Sequence, residues 1–325
     1  MDKGRLTYID ALKGFAMFGV VVLHVANFGV EVGEVTLLLD VVYSFVMPLF
    51  MFLSGYVVSA VPDARKCLRR SLQYFSPAII VGMLFCLYCS LSPLSLFADM
   101  SKQGYWYLFV LPVLHWILFF IGRSPLLNRN AMTFFLSGVG VMAMIKVGMV
   151  VLPQGVNDLL SFSQWQYWCY FFGGMLVRTR LEQYVDRFVT IKNIALCLVG
   201  YAVLFGLSRY GVDLPLQEML TAWLFIAFIF MLFRKHRGGR VLAGGLPFLG
   251  RGTLDIYVFH YFFLPIIASS SCTLWLRQWF VRSESPIVQT LIIMVLTVAI
   301  SLCCVAIGKA LRRIGLVRKI LYARY

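Results

Sequence analysis

The feature that most limits what this chain can become is a succession of long apolar runs. A stretch of roughly 18 or more apolar residues with few charges reads as a helix that crosses a membrane. Such runs follow one another along almost the whole sequence. We read ten spans, at approximately 12–30, 36–60, 72–92, 105–121, 131–152, 164–177, 191–208, 216–233, 254–272 and 286–308. The sixth is short and suits a tilted or partly re-entrant segment. Of the 325 residues, 61% are hydrophobic and 13% charged. So few charges cannot coat a water-soluble surface. The expected fold class is therefore all-α: a polytopic membrane protein of about ten transmembrane helices. The first run is full length and lacks a small-residue cleavage site, so it reads as a retained span and not as a signal peptide. Too little sequence remains between runs for a soluble domain, and residues 1–325 are expected to form a single membrane domain.

The formal net charge is +15. In a soluble protein that would suggest nucleic acid as a partner. Here the cations sort by side of the membrane. Nearly all of the 29 Lys and Arg fall in segments assigned to one side. Only Lys102, Arg209, Arg277 and Arg282 fall on the other, with Lys146 inside a span. Basic residues concentrate in cytoplasmic loops, so both termini are expected in the cytoplasm, and no nucleic-acid partner is expected. Cys86 and Cys89 form a CxxC, but within an apolar run. Buried free thiols are the reading for the cysteines. No His/Cys cluster has metal-ligand spacing, so no metal is expected.

The first span carries Asp10 and Lys13 at its start and His24 deep inside. At 100° per residue, Lys13 and His24 lie within roughly 20° of one face, and Asp10 lies about 40° to the other side of His24. The rise from Lys13 to His24 is about 16 Å. An imidazole at membrane depth either packs by hydrogen bonding to a neighbouring helix or does chemistry. Span 2 contains Pro48 and ends in Ser54-Gly55-Tyr56, a small-residue step that allows close approach by a helix or a ligand. Asp40 lies near its outer end. Arg65, Lys66, Arg69 and Arg70 form a basic loop before span 3, suited to topology, anionic lipid or a polyphosphate ligand. Tyr105, Trp106 and Tyr107 mark a membrane interface, and His115 follows inside span 4. Lys146 in span 5 either snorkels or faces an outer vestibule. A glycine-containing basic loop, residues 234–251, leads to Arg251, Asp255, Tyr257 and His260 at the start of span 9. That span repeats the theme of the first, with a cation at the cytoplasmic edge and an imidazole deeper in.

Taken together, these pieces resemble the acyltransferase 3 family of integral-membrane acyltransferases, which includes bacterial glycan O-acetyltransferases. That family carries an Arg, ten residues, then a His in its first span. Lys13, ten residues and His24 stand in that place here, after Tyr8-Ile9-Asp10. The FVMPLFMFLSGY of span 2, the RKCLR before span 3, the Tyr105-Trp106 of GYWYL and the LGRGTLDIYVFH of span 9 are similar to its other recurring pieces. The resemblance runs from Arg5 to about Pro265. Lys13 departs from it, keeping the charge but not the fork of an arginine. No hydrolase-like domain of the kind some members append is seen, which implies a stand-alone membrane enzyme.

The resemblance implies transfer of an acyl group, commonly acetyl, from acyl-CoA in the cytoplasm to a hydroxyl of a cell-surface glycan or lipid-linked sugar. It places the protein in the bacterial cytoplasmic (inner) membrane. The expected catalytic set is His24, Asp10 and Lys13, with His24 as general base or transient acyl carrier. The donor is expected among Lys13, Ser54, Arg65, Lys66, Arg69, Arg70, Trp106, Arg251 and Tyr257. Asp40, Lys146 and His260 are expected at the acceptor. The competing class is a transporter of anions or lipid-linked solutes, which would use the same buried histidines and positive mouth. The absence of an internal repeat relating the two halves weighs against it.

Overall fold

The structure is a computed structural model and describes residues 6–30, 37–58, 61–212, 214–236, 244–269 and 285–322. Arg5, Arg277 and Arg282, named in the sequence reading, lie outside the described residues, as do Lys3, Arg237, Arg240, Cys272 and Arg324. Among the described residues every regular element is helical. The principal helices are α1 (Thr7–His24), α2 (Leu37–Tyr56), α3 (Ala64–Tyr88), α4 (Trp106–Arg123), α5 (Ala131–Val151), α6 (Trp168–Leu176) and α7 (Glu182–Phe188). They are followed by α8 (Ile191–Arg209), α9 (Gln217–Lys235), α10 (Gly245–Arg251), α11 (Thr253–Phe259), α12 (Phe263–Ser269), α13 (Pro286–Leu311) and α14 (Gly315–Tyr322). Among the described residues, eight helices are long and apolar enough to cross a membrane: α1 with its extension, α2, α3, α4, α5, α8, α9 and α13. This is an all-α polytopic membrane protein, as its hydropathy requires.

Two expected spans take a different form. The sixth is divided into a 3-10 stretch Phe162–Tyr167, the short α6 and a π turn Val177–Leu181. The ninth is a shorter apolar segment, Thr253–Ala268, interrupted by a 3-10 turn at His260–Phe262. The basic stretch before span 3 is not a loop. Asp63 caps α3, its carboxylate accepting the Lys66 amide at 2.8 Å, so Arg65 to Arg70 already lie in the helix. An acidic N-cap satisfies an otherwise unpartnered helix amide. Pro48 sits inside a continuous α2.

The chain divides into two compact units, one made of residues Met1–Leu53 and Gln183–Gly308, the other of Ser54–Glu182 and Lys309–Tyr325. In the first unit α1 is the central rod. Of its apolar window 78% is buried within the protein, against 11% for α8. Its closest neighbour is α10. A Cβ on Gly14 would fall 2.0 Å from the Leu246 carbonyl oxygen, and one on Gly250 would fall 1.7 Å from that of Asp10. Only glycine permits two backbones to approach this closely. Phe15 stacks on Phe45 of α2 at 5.8 Å and meets Phe233 of α9 at 6.1 Å. The tail of α13 lies against α11, where a Cβ on Gly308 would meet the Asp255 carboxyl at 2.2 Å.

The second unit packs α3 to α6 and α14. Gly55 takes the place of a side chain that would strike the Phe171 carbonyl oxygen at 1.8 Å. Trp168 donates its indole N–H to the Gly138 carbonyl at 2.9 Å. Trp116 Nε1 donates to Ser71 Oγ at 3.1 Å. Lys102 is almost fully buried, and its ammonium donates to the carbonyls of Phe97, at 3.1 Å, of Asp99, at 3.0 Å, and of Asp158. A buried ammonium is tolerable only when its donors are used in this way.

Candidate active site

His24 is the last α-helical residue of α1, and the chain continues directly into a π turn, Val25–Gly29. His260 opens the 3-10 turn after α11. Both histidines therefore stand where the regular α-helix gives way, a feature frequent at functional sites. The two belong to the first unit and touch. His24 Nδ1 lies 2.7 Å from His260 Nε2, and His260 Nδ1 lies 2.8 Å from the Ile256 carbonyl oxygen. The ring planes differ by 5° and the ring centroids are 5.0 Å apart. That separation equals the hydrogen bond plus about one ring radius at each end, so the rings meet edge to edge in a common plane and do not stack. His260 has no exposed surface, whereas His24 is half-buried. Tyr261 flanks both, with centroids 5.0 Å from His24 and 4.0 Å from His260. The Phe28 ring is 5.8 Å from His24. Tyr257 is buried, with its ring 6.2 Å from His260.

His260, expected at the acceptor, has both ring nitrogens at hydrogen-bond distance from groups inside the protein. Sequence spacing missed the contact because the residues are 236 positions apart.

At the other end of α1, Asp10 is buried and Lys13 half-buried. They precede and overlap the crossing with α10. Lys13 adjoins Gly14, and exposed Arg251 adjoins Gly250, so the two cations flank the same glycine contact. Because α1 is one continuous helix from Thr7 to His24, the rise of about 16 Å between Lys13 and His24 holds. Asp10 is thus remote from the imidazole. Arg234, counted from sequence only as a topology charge, is buried and binds two partners: Nε donates to Asp186 Oδ1 at 2.7 Å and Nη1 to the Tyr8 hydroxyl at 3.3 Å. It thereby ties α9 to the first turn of α1. Asp40 forms an ion pair with Arg209 and so has a partner within the protein.

The remaining expected residues belong to the second unit. Ser54 Oγ and the Tyr107 hydroxyl are 2.6 Å apart. Arg65, Lys66 and Arg69 are exposed on α3, with Lys66 Nζ 3.6 Å from Asp63. The Lys66 amide holds the Asp63 carboxyl below the usual carboxylate range. Arg70 differs from its neighbours: it is partly buried, and its Nη1 is sequestered without a hydrogen-bond partner among the described residues. Trp106 stacks on Tyr167 at 5.4 Å. Lys146 is exposed and donates to Gln166 Oε1 at 3.3 Å. His115 is buried, with Nδ1 2.8 Å from the Leu111 carbonyl and its ring edge-on to Phe171 at 5.1 Å. Its hydrogen bond to the helix one turn back accounts for it as a packed residue.

Helices of this length and polarity, with a histidine pair held inside them, define a multi-pass membrane protein. The model of an acyltransferase domain, that of the acyltransferase 3 family, matches residues 6–306. The chain belongs to that family and is a membrane acyltransferase; the match spans residues of both compact units. No curated protein and no solved structure matches the chain.

Proposed function

We propose that the protein transfers an acyl group, acetyl by preference, from acyl-CoA to a hydroxyl of a cell-surface glycan or lipid-linked sugar, with His24 as general base. The observation that carries this reading is the state of His24. It is a half-buried imidazole at membrane depth, anchored through Nδ1, with its second nitrogen outside the pair. An unprotonated imidazole nitrogen can take a proton from a hydroxyl and return it. In the proposed step the acceptor hydroxyl loses its proton to His24 as its oxygen attacks the thioester carbonyl. The carbon–oxygen bond forms, the carbon–sulfur bond breaks, and the imidazolium returns the proton to the departing thiolate.

For the donor we assign Lys13 and Arg251, the two cations beside the α1–α10 crossing, to phosphate oxygens. Arg70, whose buried Nη1 has no hydrogen-bond partner among the described residues, suits an anionic oxygen as well. Exposed Arg65, Lys66 and Arg69 would add attraction for a polyanion. Ser54, Trp106 and Tyr257 are assigned to the uncharged part of the donor. Asp10, distant from His24, serves the charge balance of the inner mouth. Asp40 and Lys146 keep an acceptor role only if a substrate displaces Arg209 or Gln166. The reading treats residues 1–325 as one functional domain in a bacterial cytoplasmic membrane.

The test is acyl transfer from acyl-CoA in membranes carrying the His24→Ala protein. Removing a general base costs about 10²–10⁴ in rate. Undiminished turnover by correctly folded protein would eliminate His24 as the base.

A further inference from the structure

We infer that His260 is a positioning residue that decides which nitrogen of His24 is the base; this rests on His24 acting as base. The argument needs only donors and acceptors. The Ile256 carbonyl can accept but not donate, so His260 Nδ1, 2.8 Å away, carries the hydrogen. A neutral imidazole has one N–H, so His260 Nε2 holds a lone pair. That lone pair faces His24 Nδ1 at 2.7 Å, and His24 Nδ1 must therefore donate. His24 is left with its own lone pair on Nε2. The chain Ile256 carbonyl, His260, His24 thus fixes both tautomers from a backbone oxygen that cannot titrate.

The surroundings make this assignment firm. The two rings are coplanar within 5°, so the bond runs along the lone-pair direction. His260 has no exposed surface, so water does not replace either of its partners. The opposite tautomer of His24 would set two lone pairs against each other or break the bond to Ile256, at the cost of an unpaired buried polar group. Phe28, Tyr257 and Tyr261 surround the pair, and the titratable groups among them are the two tyrosines. During transfer the acceptor proton arrives at His24 Nε2 and leaves from there to the thiolate, while the hydrogen on His24 Nδ1 stays in place, donated to His260 Nε2. His260 touches no reacting atom. It acts as the carboxylate acts behind the histidine of a serine hydrolase, holding ring and tautomer.

Three variants test this in membranes, with steady-state kinetics for acyl-CoA and a cooperative melt as the check on folding. His260→Ala removes the acceptor for His24 Nδ1–H and is expected to lower kcat by at least about 10²-fold, with KM for acyl-CoA within about threefold. His260→Gln restores an acceptor oxygen near the Nε2 position and is expected to recover kcat to within about tenfold of the native protein. His260→Leu gives the same test as alanine if the alanine protein does not fold. Equal impairment by Gln and Ala, a loss carried wholly by KM, or an unimpaired Ala or Leu variant overturns the proposal. The His24→Ala protein separates the two readings. If it still turns over, the base assignment fails. If it is inactive while His260→Ala is fully active, only the positioning role of His260 fails.

Discussion

Gly250→Ala should be among the most damaging single-methyl changes available in this protein. The new Cβ would stand 1.7 Å from the carbonyl oxygen of Asp10. An ordinary carbon–oxygen contact is about 3.3 Å, so α1 and α10 would have to separate by roughly 1.6 Å. Both partners are backbone, so no rotamer change relieves the clash. Overpacking an adaptable core costs about 1–3 kcal/mol, and a backbone-on-backbone clash belongs at or above the top of that range. Gly14→Ala strikes the same crossing, with its Cβ 2.0 Å from the Leu246 carbonyl oxygen. One separation relieves both clashes, so the double variant should cost well under the sum of the singles. Gly245→Ala is the control, since a Cβ there meets nothing within 4 Å; it should change stability by no more than about 0.5 kcal/mol. Thermal unfolding of purified protein in one detergent reads all four. The Gly250→Ala midpoint should fall by several degrees, and KM for acyl-CoA should rise, because Lys13 and Arg251 are displaced together. If Gly250→Ala and Gly245→Ala melt alike, the close crossing does not exist in the folded protein and the placement of Lys13 beside Arg251 goes with it.

Two other substitutions separate binding from stability. Arg70→Gln removes a guanidinium whose Nη1 has no hydrogen-bond partner among the described residues, so the melt should move by less than about 1 kcal/mol while KM for acyl-CoA rises; an unchanged KM would remove Arg70 from the donor set. Lys102→Met strips the shared donor from the carbonyls of Phe97, Asp99 and Asp158. It should cost about 1–3 kcal/mol in the melt and leave KM unchanged, and an unshifted melt would show that those carbonyls find other donors.

The helical class and most of the spans were legible in the sequence because hydropathy is a local sum: a run of some 20 apolar residues must form a helix in lipid whatever surrounds it. The start of α3 was also legible, but its signal lay in the wrong place for a hydropathy reading. Asp63 caps the helix ahead of four cations, and charge concealed the helix that the cap announces. The interruption of span 9 at His260 had no such signal, since the residues on either side are as apolar as those of an unbroken helix. Lys146 and Asp40 stood out as charges in apolar runs, yet Gln166 and Arg209 satisfy them. Spacing alone reveals a charge; it does not reveal its partner.

By itself the sequence determined that the chain is a bundle of membrane helices of the acyltransferase 3 family, with Lys13 and His24 on one stripe of the first. The stripe follows from helical periodicity within a single segment, and the family from the resemblance of several pieces spread along the chain. Only the tertiary structure decided what His24 is paired with. Its partner lies 236 residues away, brought near by an α1 buried at the centre of its unit and seated backbone to backbone on α10. Which imidazole nitrogen is free depends on a hydrogen bond to a distant ring, and no local pattern encodes that.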